Sequence, residues 1–169
     1  MKGLLILFTL ICVSAGAQVK SFQSVNYSIQ YPELWDVDTV HKNMADVFFL
    51  SPLSSDTDKF RENVGVGIQN LHGMNVDLDK FVTLSENQIK TLVTNGNIIE
   101  SRRVKYAEGE FHKIIFTGLQ GVYHLKFEQY YFIYKEKAFV ITFTAEENKF
   151  DDYVAVSEKI LGSFKLMNW

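Results

Sequence analysis

The chain has 169 residues with 17 basic and 20 acidic side chains, a formal net charge of −3. Its longest basic run is the pair Arg102-Arg103, so the basic patch that a nucleic-acid partner needs is missing. Aromatic residues make up 14% and prolines number two, the composition of one packed globular domain and not of a disordered segment.

The amino terminus reads as an export signal. Lys2 supplies a positive charge, residues 4–13 carry none, and Ser14-Ala15-Gly16-Ala17 has Ala at both positions a signal peptidase reads. A membrane anchor is the competing reading, but such a short apolar run reaches only about half of a bilayer core. We expect cleavage after Ala17, a single domain over residues 18–169, a periplasmic or secreted location and no stable membrane insertion. Cys12 follows Ile11 inside the apolar run, whereas a lipid-accepting Cys follows a small residue. Without Lys2 the balance is 16 basic against 20 acidic residues, or −4, and no cysteine is left to form a disulfide.

In chain order, residues 25–31 alternate apolar and polar, a half-buried strand. Pro32 stops it, and a corner leads to Trp35, which we expect to be buried. Residues 46–50 and 64–71 predict two more strands, separated by a long polar loop over 51–63. From Leu78 to Val93 the period changes: Leu78, Phe81, Val82, Ile89, Leu92 and Val93 share one helical stripe, with Asp77 placed to cap it. Strands are predicted over 98–107, 110–117, 122–134 and 138–144, joined by short turns at 108–109, 118–121 and 135–137. A second helix carries Phe150, Tyr153, Val154, Ile160 and Leu161 on its stripe, with Thr144 or Asn148 as candidate cap and Gly162 at its end. Successive strands on short turns are antiparallel, so the fold class is α+β: six to eight strands in an antiparallel sheet flanked by two helices.

The segment Tyr27-Ser28-Ile29-Gln30-Tyr31-Pro32-Glu33-Leu34-Trp35 resembles the opening of the PsbP-like family, a strand closed by a Tyr-Pro-x-x-Trp corner. Ile98-Ile99-Glu100-Ser101 with the hairpin after it, and the Ser163-Phe164 step behind the last helix, are similar too. The likeness covers residues 22–165. It implies an α-β-α sandwich, and a way of working by docking to larger partners. Family members include extrinsic photosystem II subunits, but the long basic arm of the plant proteins is not found in this chain. The family offers no catalytic residue to carry over.

Chemistry-bearing residues are sparse. A four-residue turn at 118–121 would pair Thr117 with Val122, hence His112 with Phe127 and His124 with Ile115, leaving the two imidazoles on opposite faces. His41 and His72 stand alone, while zinc needs three or four converging ligands. The pairs Asp56-x-Asp58 and Asp77-x-Asp79 are not followed by the Gly and Glu of a calcium loop. No nucleophile elbow or phosphate loop occurs, and Gly65-Val66-Gly67 reads as strand. We therefore expect no enzyme, no metal and no cofactor. The aromatic run Tyr130, Tyr131, Phe132, Tyr134, Phe139 and Phe143 reads first as core shared between the two faces, and second as a partner surface. In the 51–63 loop, Arg61 is a candidate recognition residue, and Phe60 either folds onto the core or anchors a partner. The candidate partner-binding residues are thus Phe60, Arg61, Tyr130 and Tyr134. These readings converge on an exported, non-enzymatic interaction domain of the bacterial envelope with a protein partner. The alternative is a carrier of a small apolar ligand between sheet and helix.

Overall fold

The computed structural model describes residues 18–40, 45–106 and 109–167. The export segment and His41 lie outside them. Among the described residues there are ten strands and two helices. They run β1 (Val19–Gln23), β2 (Tyr27–Pro32), β3 (Asp36–Asp38), β4 (Val47–Leu50), β5 (Asn63–Asn70) and α1 (Leu78–Leu92). Then come β6 (Thr94–Tyr106), β7 (Gly109–Gln120), β8 (Tyr123–Tyr134), β9 (Lys137–Glu146), α2 (Phe150–Gly162) and β10 (Lys165–Leu166). A large sheet has the order β3-β4-β5-β9-β8-β7-β6, and a small one the order β1-β2-β10. Neighbours in both are antiparallel. The architecture is a mostly-sheet α+β fold.

Side-chain alternation divides the core in two. On β9, Phe139, Ile141, Phe143 and Ala145 join Phe150, Ile160 and Leu161 of α2, together with Tyr27 and Ile29 of the small sheet. Their neighbours Ala138 and Val140 point the other way and meet Phe81, Val82 and Ile89 of α1. The aromatic run splits accordingly. Tyr131 meets Phe81 edge-on at 5.3 Å, while Tyr130, Phe132, Phe139 and Phe143 lie in the other cluster. Trp35 is 7% exposed and belongs to that second group, as the corner after Pro32 suggested.

Three local readings need correction. The β7–β8 turn is two residues, Gly121-Val122, with Gly121 at φ 61°. Gly118 is not a turn residue but lies in β7, where a Cβ would come within 2.3 Å of Val93 Cγ1; its glycine admits the end of α1. The register therefore shifts, and His112 faces Tyr131 while His124 faces Leu119. The shift is an even number of residues, so the imidazoles still project from opposite faces. Second, α2 is preceded by Lys149 with no side-chain cap, and neither Thr144 nor Asn148 serves. Asp151 and Asp152 supply negative charge to the first turn instead. Third, β1 escapes the pattern because only Phe22 of its residues is even half-buried. Asp77 does cap α1, its Oδ1 accepting from Lys80 N at 2.8 Å.

Candidate functional site

The 51–62 loop is pinned at both ends. Arg61 Nε donates to Ser51 O at 2.6 Å, and its Nη2 reaches Asp36 Oδ2 at 2.7 Å and Leu50 O at 3.1 Å. Its guanidinium thus ties β3 to the strand exit after β4. Asp58 accepts from Ser54 Oγ at 2.6 Å, Ser54 N at 3.1 Å and Phe60 N at 3.2 Å. Lys149, at the entrance to α2, bridges Asp58 and Glu146 at 3.0 Å each. The Ser54 hydrogen bonds, then Lys149, hold the Asp58 carboxyl well below the usual range. Glu146 and Asp58 push the Lys149 ammonium up. Phe60 is half-buried against the Tyr123 ring, 5.2 Å away.

Tyr130 is 9% exposed and stacks on Phe111 at 4.4 Å. Burial first, then the Glu128 charge, raises its hydroxyl far above the ordinary value. Tyr134 is half-buried, with Lys135 Nζ 5.3 Å over its ring. Phe60 meets the first residue of β8 and Tyr134 is the last, so the four residues form no common patch.

One cluster that the sequence did not suggest joins α1 to the sheet. Ser101 Oγ lies 2.7 Å from His112 Nε2 and donates to Glu86 Oε1 at 2.5 Å. A carboxylate is the stronger acceptor, so Ser101 gives its proton to Glu86 and accepts from Nε2–H. A nucleophilic serine needs the reverse polarity. Burial, reinforced by Arg103, lowers the His112 pKa. Among the described residues no three His, Cys, Asp or Glu side chains converge to hold a metal ion, and no helix is long and apolar enough to cross a membrane.

The most site-like feature is a trough on the α1 side of the large sheet. Helix α1 rests on β6, β7 and β8 and on Ala138 and Val140 at the start of β9, and leaves β4, β5 and the rest of β9 open on that face. There the rows Phe48–Gly65–Thr142–Gln129 and Asn63–Thr144 run across neighbouring strands. With Asp46, Gly67 and Val140 they enclose an open cavity of about 530 Å³. A smaller hollow of about 330 Å³ along α1 shares Gln69, Gln129 and Val140 with it. Gln129 is held in place, donating to Thr142 Oγ1 at 3.0 Å and accepting from the Tyr131 hydroxyl. Asp46 Oδ2 accepts from Tyr27 OH at 2.7 Å. The glycines of Gly65-Val66-Gly67 are the one sign of this place in the sequence.

No protein-family model and no curated protein matches the sequence. Solved structures do. PsbP of the cyanobacterium Synechocystis sp. PCC 6803 superposes with a TM-score of 0.63 at 15% identity, over 92% of this chain and 97% of that one. PA94 of Pseudomonas aeruginosa, a putative regulator of unknown function, gives 0.65 at 6% identity over 89% and 99%. LpqN of Mycobacterium tuberculosis, involved in cell envelope biogenesis, gives 0.59 at 8% identity over 89% and 91%. The order of elements, the two-sheet architecture and these superpositions over nearly the whole chain establish that it has the PsbP-like fold.

Proposed function

We propose that the chain is an exported accessory domain of the bacterial cell envelope that acts by binding, with the β4–β5–β9 trough as its working surface. The carrying observation is the trough itself: the part of one sheet face that α1 leaves uncovered is open, concave and lined by hydroxyls and amides. Binding sites are concave, with a few well-placed polar groups. The export segment and the likeness to LpqN, a protein of cell envelope biogenesis, support the location. The contacts of α1 and α2 with opposite faces support the α-β-α sandwich as the finer architecture. The absence of enzymatic chemistry belongs to the same proposal, since the Ser101–His112 contact has the wrong polarity for a nucleophile. A carrier of apolar cargo fits less well, because burying Thr142, Thr144 and Asn63 against hydrocarbon leaves polar groups unpaired.

The test is site-directed photocrosslinking in the native envelope. A crosslinker at Gln69 or Thr144 should trap an envelope component, and one at Ile99, on the far edge strand β6, should not. Equal trapping from both places, or none from the trough, refutes the reading. Intact mass of the native protein should correspond to a chain starting at Gln18.

A further inference from the structure

We infer that the trough binds a short segment of neutral glycan; this rests on the reading of the trough as the working surface. Glycine inside a strand weakens it and often marks close approach of a ligand or another backbone. Here β5 carries two, both facing the trough and both in the middle of the sheet. Gly65 has a protein explanation: the Phe48 ring lies over it, and a Cβ would meet that ring at 2.8 Å. Gly67 has none. The nearest atoms to a Cβ there are Val140 O at 3.7 Å and Val140 Cβ at 4.0 Å, ordinary contact distances, and its φ is not left-handed. A methyl group would fit the protein, so what its absence leaves is a flat floor open to an occupant.

The lining then selects the occupant. Among the described residues of the lining, Asn63, Gln129, Thr142 and Thr144 are uncharged, Asp46 is the sole carboxylate, and no Lys or Arg takes part, so an anionic group finds no counter-charge there. One carboxylate is too few for a hard cation. An extended peptide would need a free strand edge, but β5 and β9 are paired on both sides and β4 lies between β3 and β5. A sugar meets the whole set. Its hydroxyls both donate and accept, matching Thr hydroxyls and side-chain amides. Its C–H faces suit the half-exposed Phe48 ring and the glycine floor. The volume of about 530 Å³ is within the range of small-molecule sites.

The experiment titrates the folded, signal-free protein with cellobiose, maltose and N,N′-diacetylchitobiose while following backbone amides by NMR. At least one sugar should give saturable shifts centred on Gly65, Gly67 and Thr142, with an affinity in the millimolar class typical of a single small contact. Gly67→Ala adds one methyl to the floor without a clash and should weaken binding about tenfold. Thr144→Val, which keeps shape and removes a hydroxyl, should weaken it severalfold while the spectrum stays that of a folded protein. No saturable shift with any of the three sugars overturns the inference, as do shifts that Gly67→Ala leaves unaltered. If the sugars fail but crosslinking from Gln69 traps an envelope protein, the glycan falls and the accessory reading stands. If both fail, both fall.

Discussion

The most demanding energetic test concerns Lys113 and Glu128, which face α2 from adjacent strands. Their Nζ and Oε1 are 2.6 Å apart, with side chains 10% and 0% exposed. Among the described residues, Glu158 of α2 is the other carboxylate near the ammonium, at 3.9 Å and half-exposed. A buried pair contributes little net stability, because desolving two charges offsets their attraction, but removing one partner strands the other. Lys113→Met leaves Glu128 without its counter-charge in a place water does not reach, and such losses cost about 3–5 kcal/mol. We therefore expect a loss of about 3–5 kcal/mol, or roughly 6–20 °C in Tm for a domain of this size. Urea unfolding followed by tryptophan fluorescence measures it, with the m-value unchanged. Adding Glu128→Leu removes the stranded charge and should recover most of the loss. A single-variant cost under about 1 kcal/mol, or a double variant no better than Lys113→Met, would refute the reasoning.

Trp35→Ala should cost about 3–5 kcal/mol by equilibrium unfolding, because the ring is buried between the corner after β2 and the larger core cluster. The 51–62 loop should loosen in acid. The folded-state Asp58 pKa is depressed, so its stabilising contribution is complete above the unfolded carboxylate value of about 3.9 and is lost as pH falls below it toward the folded value. Acid-active protease cleavage within the loop should rise over that window, and Asp58→Asn should show the loosened state already at neutral pH. Shortening residues 54–58 should lower Tm, since it removes both Ser54 and Asp58 from the bridge to Lys149; an unchanged midpoint would mean that the bridge is idle.

How far the sequence could be read follows from which interactions are local. The α1 boundaries were legible because a cap at Asp77 and a stripe of period 3.6 both depend on near neighbours. The β8–β9 turn was legible to a residue, although Lys135 and Glu136 both take positive φ without being glycine; Leu71 N to Glu136 O and the His72–Glu136 contact hold them there. Gly118 misled because a glycine needed for the close approach of Val93 looks like a glycine needed for a turn. Arg61 was singled out for its type, yet its partners Asp36 and Leu50 are brought to it by the sheet and spend its donors internally. The Asp58–Lys149 bridge spans most of the domain in sequence, and no pattern announces it. The trough is likewise invisible until β5 is known to pair with β9, across a helix and three strands.

The trough's existence follows from the dimensions of the elements. Seven strands spaced about 4.8 Å apart make a sheet face nearly 29 Å wide, while one helix with its side chains is about 10–12 Å across. A single helix therefore cannot cover such a face, and each side of the sheet must deal with the remainder. On one side α2 is supplemented by β2, whose Tyr27 and Ile29 are fully buried on the core, so that face is mostly aromatic and aliphatic, with the Lys113–Glu128 pair buried in it. On the other side α1 has no supplement. Its neighbours on β6 to β8 are apolar, Ile98, Phe116 and Tyr131, and beyond it the same face turns to Thr142, Thr144, Gln129 and Asn63. A face that only had to tolerate water could be built from threonine and charged residues alone, as edge and solvent-facing strands commonly are. Glycine at Gly67 weakens β5 by roughly 0.5–1 kcal/mol with no packing gain in the protein. That uncompensated cost is the reason to treat the uncovered part of the face as a site and not as leftover surface.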